Sequence, residues 1–186
     1  MIKAVLFDMN GIIIDDEHIH ELAFREVVKT FDIDLTHDLY LECFAGKTDR
    51  AGYESLEQKL DVELPIDSLL VKKAERYLEL FPVNKKTYPG VIELIKDLSE
   101  SFSMTVTSSS SRDEVDLITK EFGIREYFQT TVSADEVKKG KPDPEPYLIS
   151  ADLLGFDPEE CVVIEDSKSG VLSAKAARSE EHTSEL

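Results

Sequence analysis

The sequence predicts an α/β protein with a doubly wound parallel sheet and an all-helical segment inserted after the first strand. Three observations lead to this fold class. Short apolar runs alternate with segments of helical period, which is the pattern of β-α-β crossovers in a parallel sheet. One long stretch, residues 16–85, shows the helical period alone. Several of the predicted strands run into Asp, Ser or Glu-Asp, at the strand ends where α/β proteins bind ligands.

The predicted core strands are short apolar runs that stop at turn residues. Residues 3–8 form the first strand, because their apolar side chains are followed by Asn10-Gly11, a dipeptide that favours a tight turn. The later strands and helices are predicted from patterns of the same kind. The strands are predicted at residues 104–107, 130–133 and 161–164, and the helices at residues 91–98, 113–122 and 144–154. The predicted α/β core therefore comprises residues 1–15 and 86–177.

The stretch between the first two strands predicts a separate helical cap over residues 16–85. Its apolar side chains recur every three or four residues, as on one face of an amphipathic helix. On the first of these helices the apolar face comprises Ile19, Leu22, Ala23, Val27 and Phe31. We expect this insertion to form a compact all-helical unit.

The composition is that of a globular, strongly acidic protein. Of the 186 residues, 41% are hydrophobic, and 39 Asp and Glu against 21 Lys and Arg give a formal charge of −18. This charge disfavours non-specific binding to nucleic acid or to an anionic membrane, because both depend on basic residues. The two cysteines are too few for a disulfide framework or a four-cysteine zinc site, which fits a reducing cytosol. We expect a monomeric cytoplasmic protein whose partner is a small molecule.

The last nine residues, 178–186, differ from the rest of the chain. Their sequence, RSEEHTSEL, has neither helical nor strand periodicity and resembles the in-frame translation of a common sequencing adapter. We interpret these residues as a non-native tail. On this interpretation the natural protein continues beyond Ala177, and the C-terminal part of its core is missing from the sequence.

Charged and hydroxyl side chains follow three of the predicted strands. Asp8 follows the first, Ser108 the second and Glu165-Asp166 the last. Because parallel strands end at one edge of a sheet, the three carboxylates are expected to lie close together, where partly buried like charges require protonation or a bound cation. A site made of oxygen donors suits Mg²⁺. Lys141 and the Ser108 hydroxyl would then suit a phosphoryl group.

Four segments in chain order resemble the motifs of the haloacid dehalogenase (HAD) superfamily. They are residues 7–11 (FDMNG) with Asp15, Ser108 after its apolar strand, residues 140–144 (GKPDP), and residues 163–167 (VIEDS) with Gly170. A single Asp after a strand is more often a turn or capping residue, but four motifs in order favour the functional interpretation. The resemblance covers residues 1–177 and is strongest to the branch with a helical cap, which contains sugar-phosphate phosphatases and β-phosphoglucomutase.

The resemblance implies a role for each matching residue. Asp8 would be the nucleophile that takes the phosphoryl group as an aspartyl-phosphate, and it would also bind Mg²⁺. Asp166 and the main-chain carbonyl of Asn10 would be further metal ligands, with Glu165 beside them. The residues implied to hold the phosphoryl oxygens or adjoining substrate atoms are Lys141, Ser108, Ser109 and Ser110.

The resemblance also implies substrate-binding residues in the cap. Residues 46–50 (GKTDR) are similar to the specificity loop of the family, so Gly46, Lys47 and Arg50 are expected to contact the substrate together with His20. Mutase relatives tend to have Arg where Asp49 stands, which disfavours a bisphosphate substrate. The implied reaction is Mg²⁺-dependent hydrolysis of a small phosphate monoester, such as a sugar phosphate.

Asn10 departs from the family pattern. Relatives usually have Asp here, which protonates the leaving group and then activates water, whereas an amide cannot transfer that proton. General acid–base catalysis increases a reaction rate about 10²–10⁴-fold. His20, Asp15 and Asp16 are candidates to perform the proton transfer in place of the missing Asp. Two alternatives to a phosphatase stay open: a β-phosphoglucomutase-like phosphohexomutase, and a catalytically weak or silent protein that binds a phosphorylated metabolite.

Overall fold

The computed structural model describes residues 1–45, 47–178 and 180–183, the last four as backbone. A parallel sheet of five strands has the order β3-β2-β1-β4-β5. The strands are β1 (Ala4–Phe7), β2 (Ser103–Thr107), β3 (Thr130–Val132), β4 (Cys161–Glu165) and β5 (Glu180–Thr183). The predicted α/β class with a doubly wound parallel sheet is confirmed.

The helices separate the strands along the chain as crossover connections require. They are α1 (Glu17–Lys29), α2 (His37–Cys43), α3 (Asp49–Leu60), α4 (Ile66–Asn84), α5 (Val91–Ser99), α6 (Arg112–Glu121), α7 (Glu145–Leu154) and α8 (Lys168–Ala176). Ser111 is the N-cap residue of helix α6 and forms a reciprocal capping box with Glu114. Across the described ranges, no helix has both the length and the apolar character that crossing a bilayer requires.

The described residues form two compact units. The core unit comprises Met1–Asp15 and the chain from Lys86 onward, and the helical unit is Asp16–Lys85. In the core unit, β1 lies at the centre of the sheet with all four residues buried. A strand covered on both faces needs no polar alternation, which is why the sequence there is a continuous apolar run.

The helical unit has an apolar core of its own, formed by α1 to α4. Aromatic rings dominate its centre, where Phe24 packs against Phe44 at a centroid distance of 4.2 Å and against Tyr53 at 5.3 Å. The other buried members of this cluster are Val27, Val28, Ile33, Leu35, Tyr40, Cys43, Leu56 and Leu69. An independent core of this kind lets an inserted segment fold as a unit.

Two details differ from the sequence analysis. Phe31 does not belong to the buried face of the first helix, since α1 ends at Lys29 and Phe31 is 37% exposed. Residues 180–183, for which no strand was predicted, form β5 and pair with β4 from Val162↔Glu180 to Glu165↔Thr183. The backbone groups along that edge of β4 bond any extended segment that reaches them, whatever its side-chain pattern.

Candidate active site

The carboxyl ends of β1 and β4 lie side by side where the strand order reverses. Asp8 follows β1, while Glu165 ends β4 and Asp166 follows it. The main-chain N–H of Asp8 donates to the carbonyl of Ile164 at 3.0 Å, which holds the two strand ends together. Open α/β sheets bind their ligands at this position. The topology therefore brings the three predicted carboxylates to the expected edge.

Two of the three carboxylates bond to a buried lysine. Oxygen atoms of Asp8, Glu165 and Asp166 lie within 4.8 Å of one another. Lys141 Nζ donates to Asp8 Oδ1 and to Glu165 Oε1, both at 2.7 Å, and to the Thr107 carbonyl at 3.1 Å. The Lys141 side chain is 5% exposed. The loop between β3 and α7 thus delivers a fixed positive charge into an acidic cluster.

Burial and the charges within the cluster set its proton affinities. Burial raises the pKa of Asp8 to about 6, since Lys141 opposes this effect only in part and Glu165 adds to it. Burial also acts on Glu165, but the charge and hydrogen bonds of Lys141, with those of Ser167, outweigh it and lower the pKa of Glu165. Burial and the charge of Glu165 raise the pKa of Asp166. The cluster favours an ionised Glu165 and resists further negative charge.

The residues present fit a bound Mg²⁺ ion. With all three carboxylates ionised, Lys141 would balance one of three negative charges and leave two in excess. One divalent cation removes that excess. Oxygen donors from a few carboxylates, completed by water and phosphate, are the usual surroundings of Mg²⁺ in proteins. The charge balance therefore favours a divalent ion in this cluster.

Hydroxyl groups adjoin the acidic cluster through Asn10. Ser108 and Ser110 donate their hydroxyls to Asn10 Oδ1 at 3.3 and 3.1 Å, and the Ser110 N–H donates to Ser108 Oγ at 3.1 Å. These bonds join the loop after β2 to the loop after β1. Ser109 is exposed. Hydroxyl and N–H donors thus lie at the same sheet edge as Lys141, and such donors suit an anionic phosphoryl group.

Gly11 lets Asp166 pack directly against the main chain of the first loop. Its φ is +80°, a left-handed conformation that glycine adopts without a Cβ penalty, and a Cβ added there would overlap the Asp166 carboxylate. The glycine of the predicted Asn10-Gly11 turn therefore has two functions. It permits the turn, and it makes room for a candidate metal ligand.

We expect Gly11→Ala to weaken both folding and Mg²⁺ binding. The left-handed conformation costs an alanine about 1–2 kcal/mol of unfolding free energy, and the new methyl group must displace Asp166. Gly90→Ala is a matched control, because Gly90 has a φ of +83° but nothing within 4 Å of an added Cβ. Urea unfolding and Mg²⁺ titration of both variants measure the two effects. Equal Mg²⁺ affinity in the two variants would contradict the proposed role of Asp166.

The helical unit contains a pocket of about 220 Å³. Tyr40 donates its hydroxyl to Glu17 Oε1 at 2.6 Å in the wall of this pocket. Lys47 is exposed, and its ammonium donates to the Glu42 carbonyl at 2.9 Å and to Ser55 Oγ at 3.1 Å. The lining residues are Glu17, His20, Phe24, Tyr40, Phe44, Lys47 and Asp49. Two predicted substrate residues, His20 and Lys47, therefore share one pocket.

A buried lysine holds His20 and Asp49 in that pocket. Lys73 Nζ donates to His20 Nδ1 at 2.8 Å and pairs with Asp49 Oδ2 at 2.9 Å, while Lys73 itself is 3% exposed. On the other side of the ring, His20 Nε2 lies 3.2 Å from Asp16 Oδ2. His20 is thus held between the Lys73 ammonium and the Asp16 carboxylate.

The model of the haloacid dehalogenase-like hydrolase family matches residues 5–180. The chain belongs to this family. The resemblance stated from the four motifs is confirmed, and so is the expectation of a hydrolase.

Relatives of this HAD-like hydrolase cover nearly all of its sequence. A phosphorylated carbohydrates phosphatase of Thermotoga maritima is 33% identical over 176 residues, which cover 94% of this chain and 81% of the relative. The structure of CbbY from Rhodobacter sphaeroides in complex with phosphate has a TM-score of 0.83 at 27% identity, covering 99% of this chain and 86% of that chain. A putative β-phosphoglucomutase from Thermotoga maritima has a TM-score of 0.81 at 32% identity, with coverages of 96% and 82%.

The predicted site residues of this HAD-like hydrolase occupy two places. The helical unit places His20 and Lys47 at its pocket, whereas Arg50 pairs with the exposed Asp67, and Gly46 lies outside the described residues. The substrate-binding roles of these four residues stay predictions, as does that of the exposed Ser109. The core unit brings together Asp8, Asn10, Ser108, Ser110, Lys141, Glu165 and Asp166.

Two buried side chains of this HAD-like hydrolase, Lys73 and Tyr147, were not predicted from the sequence. Lys73 recurs in step with Leu69 and Tyr77 on the buried face of α4, where an unpaired lysine is rare. A lysine that interrupts an apolar helix face indicates a buried ammonium with a polar partner, and this was the signal in the sequence. Tyr147 gave no such signal, because an aromatic residue on a helix facing a sheet is ordinary core. Its hydroxyl meets Glu165 only once α7 packs on the sheet.

Proposed function

We propose that this protein is a Mg²⁺-dependent phosphatase that hydrolyses a small phosphate monoester through an aspartyl-phosphate. The observation that carries the proposal is the position of Lys141 Nζ, which lies 2.7 Å from oxygens of both Asp8 and Glu165 at the ligand-binding edge of the sheet. A fixed cation beside a carboxylate nucleophile stabilises the charge that develops on transferred phosphoryl oxygens. The hydroxyls of Ser108 and Ser110 are further donors at that edge.

In the proposed reaction the Asp8 carboxylate attacks phosphorus. The bond between phosphorus and the ester oxygen breaks as the acyl-phosphate bond forms, and the leaving oxygen takes a proton from water to become an alcohol. Water then attacks phosphorus, which releases inorganic phosphate and restores the carboxylate. Lys141, Ser108 and Ser110 orient the phosphoryl group and balance its charge, and such positioning supplies most of the catalysis in phosphoryl transfer.

The proposed metal ligands are Asp8, Asp166 and the main-chain carbonyl of Asn10, with Glu165 beside them. A bound Mg²⁺ ion supplies positive charge that neutralises both the carboxylates and the substrate phosphate. Within the protein, Lys141 holds Asp8 Oδ1 and Glu165 Oε1 in place, and Gly11 leaves the room that Asp166 occupies. These contacts fix the positions of the carboxylates before an ion binds.

We expect the effect of Mg²⁺ on stability to depend on pH. The pKa of Asp8 is raised from 3.8 to about 6 in the metal-free protein, so the folded state binds a proton more tightly than the unfolded state. The contribution of Asp8 to the free energy of unfolding of the metal-free protein should therefore fall as pH rises from about 4 to about 6. Mg²⁺ competes with that proton, so its stabilising effect should grow over the same range.

Thermal unfolding with and without Mg²⁺ measures this dependence. At 100 times the dissociation constant a bound ion adds about 2.7 kcal/mol to the free energy of unfolding, and EDTA should reverse the gain at pH 7.5. Asp166→Asn should lose the response to Mg²⁺. A gain from Mg²⁺ that is as large at pH 5 as at pH 7.5 would contradict the involvement of Asp8.

We propose a sugar phosphate as the substrate. A relative is named for phosphorylated carbohydrates, and carboxylates with an imidazole, as in the pocket of the helical unit, are good partners for sugar hydroxyls. The proposed substrate contacts are His20 and Lys47 in this pocket, together with Gly46 and with Arg50 in the first turn of α3. The cytoplasmic location and the monomeric state stay predictions from the sequence.

A phosphohexomutase is the second candidate, because one related structure is of a putative β-phosphoglucomutase. An assay with Mg²⁺ against a panel of sugar monophosphates separates the candidates. Release of inorganic phosphate supports the phosphatase. Conversion of a hexose 1-phosphate to the 6-phosphate with little free phosphate supports the mutase. Thermal stabilisation by a substrate without turnover indicates the silent phosphometabolite-binding protein.

A further inference from the structure

Tyr147 is a buried aromatic residue whose hydroxyl points to the acidic cluster. It lies on α7 and is fully buried, and its ring belongs to the apolar cluster that includes Leu6 and Val163 of the sheet. Its hydroxyl donates to Glu165 Oε1 at 3.1 Å. The ring therefore anchors α7 to the sheet, while the hydroxyl reaches a charged group at the carboxyl end of β4.

The same tyrosine also contacts the lysine of the cluster. Lys141 Nζ lies 5.0 Å from the centre of the Tyr147 ring, within the range of a cation–π interaction. Glu165 Oε1 accepts one hydrogen bond from Tyr147 and one from Lys141, and Glu165 Oε2 accepts two from the main-chain N–H and hydroxyl of Ser167. Both oxygens of this buried carboxylate are thus oriented, and one side chain touches both members of the Lys141–Glu165 pair.

Helix α7 has a second polar contact with the sheet on the same face. Ser150, one helical turn after Tyr147, shares a hydrogen bond of 2.6 Å with Thr107 Oγ1, and the carbonyl of Thr107 accepts from Lys141. Because both contacts are buried, the position of α7 determines the positions of the groups around Lys141. Tyr147 is the member of this helix that touches the charged groups themselves.

We infer that Tyr147 is a positioning residue for the active site, which holds Glu165 and Lys141 so that Lys141 engages Asp8 and the carboxylates are arranged for Mg²⁺. This inference rests on the proposed function for its catalytic part. Partners of metal-binding carboxylates typically change metal affinity or activity about 10–100-fold when removed. Tyr147→Phe removes the hydroxyl and keeps the ring, so the packing of α7 and the contact with the Lys141 ammonium are preserved.

The test compares Tyr147→Phe with wild type by Mg²⁺ titration calorimetry and by steady-state kinetics with a sugar monophosphate. We expect the Mg²⁺ dissociation constant to rise about 10-fold and kcat to fall by a similar factor, while KM for the ester stays within about 2-fold. Tyr53→Phe is the matched control, because Tyr53 is a buried tyrosine of the helical unit whose hydroxyl donates to a main-chain carbonyl, that of Leu69. That variant should leave both quantities unchanged.

The outcomes separate this inference from the proposed function. Wild-type Mg²⁺ affinity and kcat in Tyr147→Phe overturn the inference and leave the phosphatase proposal standing. Weaker Mg²⁺ binding in Tyr147→Phe, in a protein that turns over no phosphate ester, supports the inference and overturns the phosphatase. A wild-type protein that does not bind Mg²⁺ overturns both. Equal losses in Tyr147→Phe and Tyr53→Phe would reveal a general effect of losing a buried hydroxyl and also overturn the inference.

Discussion

Replacing Asp8 by asparagine should lower the rate of phosphate release by a factor on the order of 10⁴ or more. Asparagine has nearly the same shape as aspartate, but its amide is not a nucleophile toward phosphorus. Lys141 keeps its bonds to Glu165 and to the Thr107 carbonyl in this variant. The fold and the donors for phosphate should therefore persist, and at saturating Mg²⁺ the loss falls on the chemical step.

The measurement is the rate of phosphate release at saturating Mg²⁺ and substrate, alongside urea unfolding. Asp152→Asn is the control, because Asp152 is an exposed aspartate on α7 and its conversion to an amide changes the net charge equally. This variant should retain full activity. If Asp8→Asn kept activity within 10-fold of wild type, another group would have to be the nucleophile.

Asn10→Asp should raise the rate of phosphate release about 10²–10⁴-fold. The Asn10 amide accepts bonds from the hydroxyls of Ser108 and Ser110 and lies at the edge where the ester must bind. A carboxylic acid at this position would protonate the leaving oxygen, and its conjugate base would then activate water. The substitution keeps the main-chain carbonyl, so the proposed metal ligands are all retained.

Asn10→Ala controls for the loss of the amide, since alanine keeps the carbonyl but has no group to transfer a proton. Its rate should not exceed that of the wild type. Kinetics over a range of pH add a second readout, because Asn10→Asp should introduce a new dependence on the ionisation of a carboxyl group. A folded Asn10→Asp protein that binds Mg²⁺ but is no faster than wild type would show that proton transfer at this position does not limit turnover.

The core of the molecule was predictable because its sequence pattern is local. Buried parallel strands have continuous apolar sequences, so residues 3–8 and 161–164 are recognisable as strands, and the structure pairs them as β1 and β4. Since parallel strands end at one edge, Asp8 and Glu165 could be predicted to meet. The position of Lys141 at the same site was predicted from the resemblance of residues 140–144 to a family motif.

The remaining features depend on packing between distant segments. Lys73 on α4 meets His20 on α1 and Asp49 on α3, and no local pattern encodes which helices become neighbours. The bond from Tyr147 to Glu165 likewise joins a helix to a strand end. Strand β5 forms by backbone pairing along β4, a contact that side-chain periodicity does not report.

The most direct test of the account is to find where the phosphoryl group resides during turnover. Wild-type protein with Mg²⁺ and a sugar monophosphate is quenched in acid within the first turnover, digested and mapped by mass spectrometry. Because Asn10 cannot activate water for the second step, the intermediate should persist long enough to be captured. We predict one phosphoryl group on the peptide that contains Asp8. Phosphate release without any phosphorylated Asp8, or with the group on Ser108, would contradict the account.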